Sequence, residues 1–425
     1  MPDNYQGRKY NDTFRGDHPT HWNACVGNNG SPSYREYADG FADAAIILID
    51  KAIETRDVDE QIYPICFNMR HAVELSLKYQ ILMLESVRAE SSIGLFDSAG
   101  SHDIGNIWEY CKKSAKLKDK RFGNLLSDLD GYIKDIAEID PTGQTFRYPL
   151  NKESIKHLVD VSVINIVRLK RKFEHLIEKL DELYNLTNFL IEEYAQDTYT
   201  KSLSRKDIEE ISNALPKINL WSCESFNTIR DDIKSKYNIG SKELSYCLNV
   251  IKSHREFSKP LGIKISLKSC TEEHFIRLFE VMLLIHPLES FNKKSEGVLF
   301  DDVLIQRVIS TWDEDQENQR KLFLMLHDEF ERSTLIDVLS LYDFGCDLGY
   351  SERYDYHYSD NVKSFSNITK ALLYEEIAEF ISKAGVYKQI LKALIFLNQY
   401  ELVDRLDSIF NFRNYFSFVG EYLED

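Results

Sequence analysis

Arg70, Glu74 and Lys78 follow one another at i, i+4 and i+8 in Asn68-Met69-Arg70-His71-Ala72-Val73-Glu74-Leu75-Ser76-Leu77-Lys78. That spacing puts all three on one stripe of a helix. Around them Cys66, Phe67, Val73, Leu75, Leu77, Tyr79 and Ile81 leave almost no polar face, the pattern of a helix packed on several sides. Charge in such a place is costly unless it is paired or used. Two readings follow. One is an internal ion pair that fixes helix register. The other is a pocket in which Arg70, His71 and Glu74 join His102 and Arg147 from other segments. That pocket would take a substrate or nucleotide, and on either reading Glu74 holds an arginine by charge-assisted hydrogen bonds.

Other residues offer alternatives. Arg168 and His175 lie seven apart on one helical pattern, so they share a face and form a second candidate catalytic pair. Arg15 to His21 and Arg320 to His327 are similar in spacing. With twenty Arg and eleven His in the chain, such spacings recur by coincidence. Lys112, Lys113 and Lys116, with Lys118, Lys120-Arg121 and the run Arg168 to Lys172, could contact RNA phosphates; a charge run is as readily a solvated face. The second half contains no comparable motif. His254, Arg255, His274, His286 and His357 stand apart, and the Tyr350 to Tyr358 stretch reads as a loop or a protein-binding surface. No P-loop, G-x-G-x-x-G, H-E-x-x-H or G-x-S-x-G occurs, and no metal or cofactor is expected.

The elements that would position these residues are helices. Residues 1 to about 33 are polar and read as an arm. A helical pattern runs from Ser33 to Thr55, a second from Ile62 to Ser86, and a third from Ile104 behind the N-cap Asp103. A fourth spans roughly Phe122 to Ile139. Then Asp140-Pro141-Thr142-Gly143 turns, and Gln144 to Pro149 is expected to be extended because Pro149 disfavours helix at Tyr148. A long helix is expected from Lys152 to Tyr194, its apolar seam interrupted at Ser162 and Thr187. Such a seam asks for a groove in the same bundle or for a second copy of the chain. A polar break near Gln196 to Ser204 precedes further helices, with one short strand expected over Ile263 to Lys268.

Three of these pieces resemble, in order and spacing, bacterial proteins with a HEPN-like helical bundle. They are Arg70-His71-Ala72-Val73-Glu74-Leu75, the Gly100-Ser101-His102-Asp103-Ile104 segment leading to Trp108, and Phe146-Arg147-Tyr148-Pro149. In those proteins an R-H-A-x-E-L helix, a G-H segment before a helix and an F-R-Y-P segment recur. Here Ser101 separates the glycine from the histidine. The resemblance covers about residues 34 to 195. It implies a metal-independent ribonuclease acting as a homodimer in toxin–antitoxin, antiphage or CRISPR-linked systems.

Composition sets the remaining bounds. The 425 residues carry a net charge of −17 with 43% apolar and 28% charged side chains, ordinary for a globular chain of two or three domains. An acidic surface repels nucleic acid at long range, so RNA contact needs local basic patches. Seven scattered cysteines without C-x-x-C spacing suit a reducing, cytoplasmic setting. The apolar runs Ala44 to Ile49 and Val281 to Ile285 are too short to span a bilayer. The expectation is an all-α protein: an arm over 1–33, a HEPN-like bundle over 34–200, and a helical, solenoid-like domain over 201–425. The function expected is an RNA-directed effector; the alternative is a non-catalytic helical adaptor whose C-terminal domain binds a protein partner.

Overall fold

A computed structural model describes residues 11–27, 29–88, 94, 96–98, 100–151, 153–288, 320, 324, 327–381, 383 and 385–423. The described residues are helical, and their only strand-like pairing is an isolated bridge between Leu150 and Lys156. They fall into two compact units, residues 1–195 and 196–425.

In the first unit, helices α1 (Tyr34–Thr55), α2 (Ile62–Ser86), α3 (Ile104–Lys118), α4 (Gly123–Ile139) and α5 (Ile166–Tyr194) form a bundle. Helix α2 sits centrally, packing on α1, α3 and α5, while α4 closes against α3 and α5. Helix starts follow local chemistry. Ser33 and Glu36 make a reciprocal capping box at α1, and Asp103 caps α3 through the Asn106 amide. The all-round apolar pattern of α2 is matched by burial of Ile65, Met69, Ala72, Val73, Leu77, Ile81 and Leu84.

Local expectations in the first unit differ from what is found at the start of α5, at Gln144 to Pro149 and at Thr187. The long helix begins at Ile166 rather than near Lys152, which itself lies outside the described residues. Asn151 accepts hydrogen bonds from the Glu153 and Ile155 amides, turning the chain locally. Ser154 and Leu158 take positive φ angles of 62° and 56°, which helix cannot accommodate. Asn165 then caps α5 by accepting from the Arg168 amide. Gln144 to Pro149 forms a turn instead of an extended run, with the Tyr148 amide donating to the Gln144 carbonyl at 3.1 Å. Thr187, an interruption in the seam, is fully buried and accepts from the Gln80 side-chain amide of α2 while donating to the Leu183 carbonyl.

The second unit contains α6 (Arg205–Ala214), α7 (Glu224–Tyr237), α8 (Ser241–Ser253), α9 (Glu272–Ile285), α10 (Arg332–Cys346), α11 (Glu352–Ser364), α12 (Lys370–Ile381), α13 (Val386–Phe396), α14 (Tyr400–Phe410) and α15 (Ser417–Leu423). Its apolar residues gather in two clusters, one between Leu203 and Leu261 and a larger one between Phe275 and Val419. At Gly345 helix α10 meets the backbone of α13 so closely that a Cβ would lie 2.1 Å from the Gln389 carbonyl oxygen. Ile263 to Lys268 alternates in burial but forms no strand. The Ile265 and Ser266 carbonyls accept from the Gln399 and Arg255 side chains instead of from a neighbouring chain. Tyr350 to Tyr358 runs into α11 and is mostly helical rather than a loop.

Thr187→Val adds apolar surface to the α5 seam yet leaves the buried Gln80 amide without its acceptor. Urea unfolding should show a loss of about 1–3 kcal/mol; a gain in stability would contradict this reading of the seam.

Candidate functional site

The Arg70 stripe of α2 faces inward. Arg70, Glu74 and Lys78 are each 3% exposed. The Arg70 guanidinium donates to the Glu74 carboxylate, to the His102 carbonyl, to the Pro141 carbonyl at 2.8 Å and to the Asp140 carbonyl at 3.2 Å. It thus joins α2 to the segment entering α3 and to the turn leaving α4. Gly143 lies over it at φ +76°, where a Cβ would come within 3.3 Å of the guanidinium carbon. The Ile104 amide closes the same corner by donating to the Pro141 carbonyl at 2.9 Å.

Glu74 is the hub. One carboxylate oxygen accepts from Lys78 Nζ at 2.8 Å and faces His102 Nδ1 at 2.9 Å; the other accepts from Arg70. Burial alone would raise its pKa, but the hydrogen bonds from Lys78, His102 and Arg70 outweigh that and hold it at about 2. An ionised carboxylate only accepts, so His102 must carry its proton on Nδ1. Its side chain is 60% exposed, so the ring reaches solvent while Glu74 fixes its orientation. His71 is placed differently. It packs edge-on to Phe41 and stacked on Phe67, with Nδ1 4.0 Å from Glu74. Burial lowers its pKa; the Glu74 charge opposes this, and Arg70, Lys78 and Arg147 add to it.

His102 lines an open cleft of about 1030 Å³ together with Asp103, Gln144, Tyr148, Asn151 and His157. A smaller hollow of about 540 Å³ shares Tyr148 and His157 and adds Arg147 and Lys156. The buried Nε2 of His157 has no hydrogen-bond partner, an orphan that asks for a ligand or water. Arg147 does not join the Arg70 network. It is exposed, with its guanidinium 5.6 Å from the Phe67 ring centre and 5.3 Å from that of Tyr148.

The remaining candidates stand elsewhere. Arg168 is exposed near the start of α5, and His175 pairs with Glu178 at 3.4 Å and lies against Tyr132. Lys112 is bound to Glu109 and Asp130, both at 2.6 Å, and holds the Asp130 carboxyl well below its usual range. Lys113 and Lys116 are exposed, whereas Lys118 is buried and donates to the Arg88 carbonyl. Of the five candidates in the bundle, Arg70, Glu74 and His102 meet, His71 flanks them, and Arg147 stays outside.

Gly143 and His157 were missed by sequence reasoning. Gly143 carried a signal, since a glycine after Asp-Pro-Thr marks a special turn. His157 carried none, because its segment resembled the start of α5. In the second unit, His254, Glu256 and Glu352 bring ligand-type atoms within 4.8 Å of one another. Arg205 donates to both carboxylates at 2.9 Å there, so a guanidinium supplies the positive charge. Burial opposes ionisation of Glu352, but His254 and Arg205 hold its pKa at about 2. No family model, curated protein or solved structure matches the chain.

The depressed Glu74 pKa contributes stability that is complete above its ordinary 4.5 and is lost as pH falls towards about 2. Glu74→Gln should therefore cost about 3–5 kcal/mol at pH 7, and the gap to the parent should narrow at pH 3. Denaturant titrations at both pH values measure it; a gap independent of pH would contradict the assignment.

Proposed function

We propose that the first unit acts on RNA as a metal-independent ribonuclease, with His102 taking the proton of the attacking 2′-hydroxyl. The observation that carries this reading is the contact between the ionised Glu74 and His102 Nδ1 at the mouth of a cleft. It is the base-and-orienter arrangement that general-base chemistry needs. His102 Nε2 accepts the proton, the 2′-oxygen attacks phosphorus, and the bond to the 5′-oxygen breaks. The leaving oxygen takes a proton from water in the cleft, leaving a 2′,3′-cyclic phosphate and a 5′-hydroxyl. Arg147 and Lys156 in the adjoining hollow offset charge on the phosphate. Arg70 acts at one remove, as a positioning residue. The HEPN-like resemblance adds the expectation of a homodimeric effector in bacterial antiphage or toxin–antitoxin systems. Seven free cysteines fit a cytoplasmic setting.

One observation favours the non-catalytic adaptor. The Arg70 guanidinium is 4% exposed and has four acceptors inside the protein, so it cannot reach a phosphate. On that reading the network only braces a helical scaffold, and the second unit binds a protein partner.

Incubation of the full chain with labelled single-stranded RNA in EDTA separates the two. The ribonuclease reading expects cyclic-phosphate ends, and a loss of about 10²–10⁴-fold in His102→Ala, with circular dichroism showing that the variant is folded at the assay temperature. Arg70→Ala should lower the melting temperature itself. Absence of cleavage by the parent, or cleavage indifferent to His102, would leave the adaptor.

A further inference from the structure

A further hollow in the first unit is lined by different residues from the His102 cleft. It lies against α2, α4 and the first turns of α5, with a volume of about 310 Å³, at the small end of ligand cavities. Its floor is made by Met69, Phe173 and Leu176, which are buried in the bundle at 6%, 1% and 2% exposure. Its rim carries Arg168, Lys172 and one carboxylate, Asp135.

The two cations lie one helical turn apart on α5, over an apolar floor. Acidic residues outnumber basic ones by 69 to 52, and neighbouring lysines are engaged: Lys170 by Asp50 and Glu174, Lys112 and Lys134 by Asp130. Among the described residues neither Arg168 nor Lys172 forms an ion pair. Lys172 sits 4.7 Å from the centre of the Tyr132 ring. Like charges at i, i+4 repel along a helix by a few tenths of a kcal/mol, and among the described residues no carboxylate pairs directly with either. An anion placed between them would offset that repulsion.

The geometry points to a binding site for a small amphipathic acid, with a short aliphatic or aromatic body on the apolar floor and a carboxylate or phosphate between Arg168 and Lys172. A nucleotide fits less well, because beside the cations only Tyr132, Asn165 and Asp135 offer polar side chains for base edges in a hollow of this size. This site is separate from the His102 cleft and does not depend on ribonuclease activity. It gives Arg168 a role in ligand binding in place of the catalytic pairing with His175.

Calorimetric titration of the full chain with decanoate tests the assignment, with decanol and adenosine monophosphate as comparison ligands. Saturable binding of one decanoate per chain is expected, weakened by added salt. The double variant Arg168→Ala/Lys172→Ala should weaken it at least tenfold, and Asp135→Asn should tighten it severalfold by removing the opposing charge. Decanol should bind at least tenfold more weakly than decanoate. All three substituted positions are exposed, and unchanged melting temperatures would confirm that the variants fold. No saturable decanoate binding, binding unaffected by the double variant, or tighter binding of adenosine monophosphate would each overturn the proposal.

Discussion

The first unit depends on keeping the Glu74 carboxylate ionised where water cannot reach it. A buried carboxylate without partners would be several kcal/mol too costly for a fold whose whole margin is of that order. Three groups stabilise it: Lys78 one turn along α2, Arg70 one turn back, and His102 from the segment before α3. The Arg70 guanidinium then needs acceptors of its own and finds them in the His102, Pro141 and Asp140 carbonyls. Satisfying one charge therefore fixes three segments. The position of His102 at the cleft follows from that constraint.

Carboxylates serve as anchors in the second unit as well. Asp337 is fully buried and accepts from the Ser269 and Cys270 amides and from the Tyr354 hydroxyl. Glu352 gathers Thr198, Arg205 and His254. Each carboxylate anchors a non-helical segment against a helix, which helix packing alone would leave free. Buried ion networks stabilise less than apolar packing of equal volume, but they penalise any arrangement that breaks them. Specifying loop positions is the work such networks are suited to, and here the loops carry the candidate site.

The helices of the bundle were legible because periodicity and caps are local. Ser33, Asp103 and the apolar rhythm of α2 act within a turn or two of themselves. The need of Arg70 and Glu74 for partners from elsewhere was legible too, since a charged stripe on an apolar helix requires them; His102 was singled out only by the HEPN-like resemblance. What failed was non-local. The period of Ile155 and Val159 matched the α5 seam, yet Asn151, Ser154 and Leu158 turn the chain first, and both apolar residues are exposed. Ile263 to Lys268 has the alternation of a strand but meets side chains where a strand would need a neighbour. Arg147 shares a hollow with His157 rather than the core with Arg70, because the turn after Gln144 carries it outward. No local pattern encodes that direction.

The central claim is that a buried, ionised Glu74 sets the tautomer and direction of His102 at the cleft. Nitrogen NMR of ¹⁵N-histidine-labelled protein, with His102 assigned by the His102→Gln spectrum, measures this directly at neutral pH. The account predicts His102 protonated on Nδ1 with an unprotonated Nε2, and loss of that preference in Glu74→Gln. An Nε2-protonated ring, or the same spectrum with and without the Glu74 carboxylate, would contradict it.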